Sequence, residues 1–439
     1  MSKSDWVRPV RTTALICLTA IAGESLGAAA TPATAPHGAM PMQEQQQLLD
    51  QLTAGHATPP GLDPVAWASI YTPAGNGLTA DRIALGRKLY FDTRLSKDGT
   101  LACATCHDVS RGFTDHRSVS EGIGDHLGKR SAPTTMNAAL FQSQFWDGRA
   151  ASLEEQAKLP ILNPIEMGHP DAASAMAGIG TDPAYEQLFR KAYGHAPNYD
   201  DLGRAIASFE RTLIFLDAPF DRFAGGDSKA LSPAAQRGLA LFNGKARCVS
   251  CHMMNSSNPI GTDNLFHNIG VSARKQNFEA LAAQAQSVLK DGKDTEALDK
   301  LAIQTDMSEL GRFLVTKKRE DIGAFKTEQI RNVALTAPYM HDGSLKTLWD
   351  VVDHYNKGGE TNAYLDGGIE PLNLSENEID DVVAFLFSLT DVRFAAQNEA
   401  AFREQQAQAA KKRPFRDDAL AHREVLPFEQ RVMGAAGLK

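Results

Sequence analysis

Residues 101–110 read LACATCHDVS, and within them Cys103, Cys106 and His107 stand in the spacing C-x-x-C-H. In that pattern two thiols add to the two vinyl groups of a haem, and the adjacent histidine reaches the iron from the proximal side. The pattern occurs again as Cys248-Val-Ser-Cys251-His252. A redox disulfide or half of a zinc site would not require a histidine at the next position twice. We therefore read two covalently bound c-type haems, with His107 and His252 as iron ligands. Four of the five cysteines are consumed, and the fifth, Cys17, lies in the N-terminal leader.

Working outward, each attachment site is preceded by the same kind of segment: LTADRIALGRKLYFD (78–92) and LSPAAQRGLALFNGKARCVSCH (231–252). Thr79 and Ser232 are placed to cap helices, Pro233 suits a first helical turn, and Ile83, Leu85, Leu89 and Leu239, Leu241, Phe242 recur at helical spacing. Gly86 and Gly238 occupy equivalent places. The chain thus contains an internal repeat of helix, loop and haem attachment. Near the end of the second unit, Ser375 and Glu378 form a capping box ahead of an apolar stripe of Ile379, Val382, Val383, Leu386 and Leu389. Strand-like alternation is scarce. The expected fold is mainly α, with two cytochrome c-like haem domains and long loops punctuated by glycine and proline.

The 439 residues, 43% hydrophobic and 22% charged, suffice for two sizeable cores and exclude a disordered or fibrous chain. A net charge of −8 disfavours nucleic-acid binding and leaves open a basic protein partner. Lys3, Arg8 and Arg11 precede a short apolar run and then small residues, the layout of a secretory signal. That run is too short to span a bilayer comfortably, and no later stretch approaches such length, so stable membrane insertion is not expected. The expected organisation is a signal over 1–35, an extension over 36–77, a first haem domain over 78–225, a second over 226–390 and a charged extension over 391–439. The charged stretches 274–305 and 391–439 read as solvated faces.

Whether a haem carries electrons or does chemistry turns on its sixth position. His116 and His126 flank the glycine-rich loop 118–128; each reads as a sixth ligand, a distal acid/base or a surface histidine.

The pieces CATCH, FWDGRAASLEEQA, PIEMG, CVSCH and RNVALTAPYMHDG, in this order from about residue 78 to 390, resemble the bacterial di-haem cytochrome c peroxidase and MauG family. The resemblance implies a periplasmic enzyme with a peroxidatic first haem, a second electron-transfer haem and a tryptophan between them, here Trp146. Gln156 and Glu166 match the distal pair. The chemistry agrees: heterolysis of hydrogen peroxide needs an open iron and a group that takes a proton from one oxygen and returns it to the other, and a carboxylate in an apolar pocket can do so.

Two departures from the classical enzymes matter. Ile123 stands where a loop histidine caps their first haem, as in the MauG branch, which keeps that haem open. Fourteen residues beyond His341, where they supply an axial methionine, stands Tyr355, the residue type MauG-like proteins use; a phenolate favours oxidised iron. The alternative is that Tyr355 packs in a helix while Met340, Met253 or Met254 ligates. The resemblance also implies calcium between the domains, bound at Thr336 and Pro338, with Ser131 replacing the expected asparagine. MauG's tryptophan before the second haem motif is Ala246 here, so the same protein substrate is not implied. The expected activity is peroxide reduction with electrons drawn through Trp146 and the second haem from an external donor, a small redox protein or a protein side chain, through a MauG-like high-valent state. The alternatives are a conventional cytochrome c peroxidase and a non-catalytic di-haem electron carrier.

Overall fold

Thr79 and Ser232 begin their helices as their hydroxyls predict, accepting the backbone N–H of Arg82 at 3.2 Å and of Ala235 at 3.1 Å. The computed structural model describes residues 39–54, 69–70, 73, 75–275, 277–290 and 305–412. The leader reading over 1–35 lies outside them. The helices that follow, Ala80–Tyr90 and Pro233–Asn243, each pack across a helix from the end of their own lobe, Tyr199–Glu210 and Glu376–Phe387 respectively.

Both crossings are made by a glycine. A Cβ on Gly86 would fall 1.8 Å from the carbonyl oxygen of Ala205, and one on Gly238 would fall 1.9 Å from that of Asp381. The repeated helix, glycine and aromatic pattern is therefore one packing device used twice. In the second lobe the crossing buries Phe242, Val382 and Phe385. In the first, Leu85, Leu89, Ala205 and Ile206 form one cluster, while Tyr90 and Phe209 join Phe113 behind the first attachment site. The capping box holds, with the Ser375 hydroxyl accepting from Glu378 N and Glu378 accepting from Ser375 N.

Strands among the described residues are limited to Phe266–His267 and Phe325–Lys326, paired antiparallel with Phe266 opposite Lys326. Mainly helical architecture is as expected. No described helix is long and apolar enough to cross a membrane.

The charged segments correct the sequence reading. Ala395–Lys412 buries Phe402 and Ala409 on the second lobe, and Gln405 donates to Ala334 O and accepts from Leu348 N. Phe278–Lys290 buries Phe278, Ala282 and Ala285 against Met307, Leu310 and Phe313. Charge counted along a segment conceals an apolar stripe at helical spacing, and the stripe decides burial. In the N-terminal extension, Met42–Thr53 likewise sends Leu49 and Leu52 into the first lobe's core.

Candidate active site

Each C-x-x-C-H folds as one helical turn, closed by His107 N to Cys103 O and by His252 N to Cys248 O, both 2.9 Å. The turn brings both cysteines to one side and leaves the histidine at its end. None of these four cysteines is paired in a disulfide, so all are left for haem attachment. Burial pushes Cys103, Cys106 and Cys248 up to about 12, opposite to the depressed values of redox C-x-x-C pairs. His107 Nδ1 lies 3.3 Å from Phe113 O, and His252 Nδ1 lies 2.8 Å from Gly261 O. With Nδ1–H spent on a carbonyl, Nε2 keeps its lone pair for a metal. Burial also lowers both histidines, which favours the neutral ligating form. These donors fit a haem iron.

A cavity of about 520 Å³ opens beside the second motif, with Cys248, Cys251, His252, Met340, Tyr355 and Trp146 in its wall. It is of ligand-pocket size. Tyr355 is carried by the Leu348–Asn356 helix, which begins at the Thr347 cap. Burial raises its phenol well above the ordinary value, and its hydroxyl has no hydrogen-bond partner among the described residues. Of the competing methionines, Met253 is 53% exposed, Met254 packs against the second core and Met340 shares the cavity wall.

Trp146 joins this wall from the first lobe's sequence. Its indole Nε1–H donates to Ser131 O at 2.9 Å, and its ring meets His341 edge-on at 6.5 Å between centroids. Ser131 N in turn donates to His341 O. His341, Glu309, Phe325 and Arg130 form a buried group that sequence reading missed. Phe325 stacks on His341 at 3.7 Å, Glu309 Oε2 lies 2.8 Å from His341 Nε2, and the Arg130 guanidinium lies 4.8 Å from the centre of the Phe325 ring. Against the upward push of burial, the hydrogen bond and charge of His341 and the nearby Arg130 hold Glu309 down at about 2. His341 was visible inside TAPYMHDG, but nothing in the spacing tied it to Glu309.

In the first lobe, Glu166 lies within electrostatic reach of Cys106. Burial raises its pKa, with Arg149 and a hydrogen bond from Asn163 opposing. Ile123 N donates to Glu166 O at 2.9 Å, while the loop around it closes through Gly122 N to His126 O and Gly128 N to Ser120 O. Gly122 and Gly168 permit this approach: a Cβ on either would come 2.0 Å from Ile165 O or from the Ile123 side chain. Gln156 ends the short Leu153–Gln156 helix, half-buried, with its side-chain amide free of hydrogen bonds among the described residues. His116 is exposed and tied through Nε2 to Leu335 O at 2.8 Å, and His126 is exposed. Gln45 was also missed: its amide donates to Ala104 O and accepts from Val109 N, fastening the first attachment turn to the N-terminal helix.

The calcium donors expected at Thr336 and Pro338 flank a cis Ala337–Pro338 bond, and among the described residues no hydrogen bond ends on either carbonyl. Ser131 Oγ faces Arg117 O at 3.5 Å. The two carbonyls fit a hard cation; the serine adds little to them.

Residues 80–229 match the family model described as di-haem cytochrome c peroxidase. The chain is 38% identical over 326 residues to the methylamine utilization protein MauG of Methylorubrum extorquens, covering 73% of this chain and 81% of that one. It is 37% identical over 319 residues to cytochrome c551 peroxidase of Pseudomonas aeruginosa, covering 72% and 80%. The chain belongs to the di-haem cytochrome c peroxidase/MauG family. Among solved structures, a MauG-like protein associated with microbial copper homeostasis superposes with a TM-score of 0.60 at 28% identity, covering 77% of this chain and 94% of that one. The diheme peroxidase BthA of Burkholderia thailandensis shares the fold, with a TM-score of 0.57 at 24% identity, covering 73% and 88%. As a di-haem oxidoreductase of this family, the chain carries two c-type haems, and the two motifs described above are the sites that fit them.

Proposed function

We propose that this enzyme reduces hydrogen peroxide at the His107 site in a MauG-like manner, with an open first haem and with oxidising equivalents shared with the His252 site. The observation that carries this reading is Ile123: the loop position that would bring a capping histidine holds an isoleucine whose N–H is bonded to the carbonyl of Glu166. A bound haem supplies an iron that accepts oxygen from peroxide and passes electrons. Glu166 takes the proton from the near oxygen and returns it to the departing one, and the unoccupied amide of Gln156 orients the peroxide. Trp146, bonded to Ser131 and set edge-on to His341, relays electrons between the sites. Tyr355, which lines the same cavity as His252, would serve as a second ligand to the haem held there, and as an anionic donor it would favour the oxidised state. Thr336 and Pro338 hold calcium between the lobes. Electrons come from an external donor, a small redox protein or an oxidisable protein side chain, in the periplasm.

The test is electron paramagnetic resonance of the resting ferric holoprotein before and after one equivalent of peroxide. A high-spin signal beside a low-spin one, both lost on addition, is the expected result. Two low-spin signals indifferent to peroxide would refute the open-site reading and leave a reductively activated peroxidase or an electron carrier.

A further inference from the structure

The segment Asn163-Pro164-Ile165-Glu166 folds back on itself so that one side chain organises the whole turn. Asn163 Nδ2 donates to Glu166 Oε1 at 2.6 Å, and Asn163 Oδ1 accepts from Ile165 N at 3.2 Å. The Asn163 carbonyl also accepts from Glu166 N at 3.1 Å and from Gly168 N at 2.8 Å. Pro164 fixes the chain between them. We infer that Asn163 is a positioning residue for peroxide heterolysis, holding Glu166 by Oε1 so that Oε2 alone is presented to the reacting oxygen.

The inference rests on the proton-transfer role proposed for Glu166. A general base must be ionised when peroxide arrives, and burial of Glu166 works against that. A donated hydrogen bond to a carboxylate favours the charged form. The charged and titratable groups that face Glu166 from the packed elements are Arg149, on the turn after Trp146, and Cys106, which is a thioether once haem is attached. The loop crossing it contributes Gly122 and the N–H of Ile123, which engage the main chain and leave the carboxyl alone. Arg149 is exposed, stacked on Phe145 and paired with Asp147, so Asn163 supplies the one direct donor to this carboxyl among the described residues.

The test uses the holoprotein and three variants. In Asn163→Ala the donor is lost. In Asn163→Asp an acceptor for Ile165 N remains, so the turn is kept while a second carboxylate replaces the donor. Glu166→Gln identifies the carboxylic-acid C=O band of Glu166 in infrared difference spectra. Titrating that band, and following the rate of the ferric protein with peroxide against pH, gives two readouts. The expected result is an infrared midpoint raised by about one pH unit in Asn163→Ala. It rises further in Asn163→Asp, because like charges disfavour ionisation. The acid limb of the rate profile moves with it, and the alanine variant recovers most of its rate above the new midpoint. A rate lowered by the same factor at every pH, with the infrared midpoint unmoved in both variants, would overturn the inference. If Glu166→Gln reacts at the wild-type rate, the proton-transfer role of Glu166 fails, while the infrared midpoints still decide whether Asn163 sets its ionisation.

Discussion

The Gly238→Ala substitution tests the frame that presents both haem sites. The new Cβ would lie 1.9 Å from Asp381 O, 2.6 Å from its carbonyl carbon and 2.9 Å from Phe385 Cβ. Ordinary contact begins near 3.4 Å, so the Pro233–Asn243 and Glu376–Phe387 helices must part by about 1.5 Å. No rotamer change relieves a clash with backbone. A gap of that size forfeits more than half of the dispersion between facing atoms, among them Phe242, Val382 and Phe385. Overpacking of this kind costs about 3 kcal/mol or somewhat more, and the helix propensity of alanine returns about 1. The net loss is about 2–3 kcal/mol, a fall of roughly 2–3 °C in Tm for a chain of this size. Gly86→Ala should behave alike in the first lobe, with Ala205 O at 1.8 Å. Gly178 is the control: it is an exposed glycine in the Ala172–Gly180 helix, and its Cβ would meet Arg94 O at an ordinary 3.5 Å. Gly178→Ala should raise stability by about 0.5–1 kcal/mol. The assay is thermal unfolding of the holoprotein followed by helix circular dichroism. If Gly86→Ala and Gly238→Ala melt at or above wild type, as Gly178→Ala should, the proposed crossings are wrong.

Three further outcomes are expected. Tyr355→Met should raise the potential of the second haem by on the order of 100 mV in spectroelectrochemical titration, because thioether sulfur favours reduced iron; an unmoved potential would assign the ligand elsewhere. Glu309 is depressed, despite burial, below its unfolded value by its hydrogen bond to His341 and by Arg130, so its contribution to stability is present above roughly pH 4.5 and is lost as pH falls towards 2. Glu309→Gln should therefore weaken the protein at neutral pH and flatten that acid limb of stability measured by denaturant unfolding, and an unchanged limb would contradict the pairing with His341. Ser131→Asn should tighten calcium on the order of tenfold by calorimetry, because an amide oxygen is added beside the Thr336 and Pro338 carbonyls; unaltered binding would place the ion elsewhere.

What could be read from the sequence was what repeats or lies close together. The attachment turns, the helix caps at Thr79, Ser232 and Ser375, and the shared glycine all act through contacts a few residues apart or at a repeated spacing. Glu166 and Ile123 were legible through motif order, though their mutual contact was not: it joins a loop to a turn 43 residues on. Glu309 and His341 are 32 residues apart. Gln45 meets Ala104 across 59 residues. Such partners are chosen by packing, and no local pattern announces them. The misjudged charged segments fail for a related reason, since composition averages over the two faces of a helix.

The repeat also explains how one frame carries two different sites. Each lobe carries its histidine at the end of a one-turn attachment helix, with Nδ1 facing a backbone carbonyl in both. The difference arises downstream, where each lobe closes over its own motif. The first lobe closes with the Asn163–Glu166 turn, locked beneath the Ile123 loop, and the second closes with the Leu348–Asn356 helix bearing Tyr355. Trp146 belongs in sequence to the first of these closures and in space to the wall of the second cavity. Its indole is anchored to Ser131 O, Ser131 N is anchored to His341 O, and His341 is anchored to Glu309. A displacement of either lobe would strain this chain of hydrogen bonds before it moved the ring. Trp146 is therefore held by both lobes at once, which suits the relay role proposed for it.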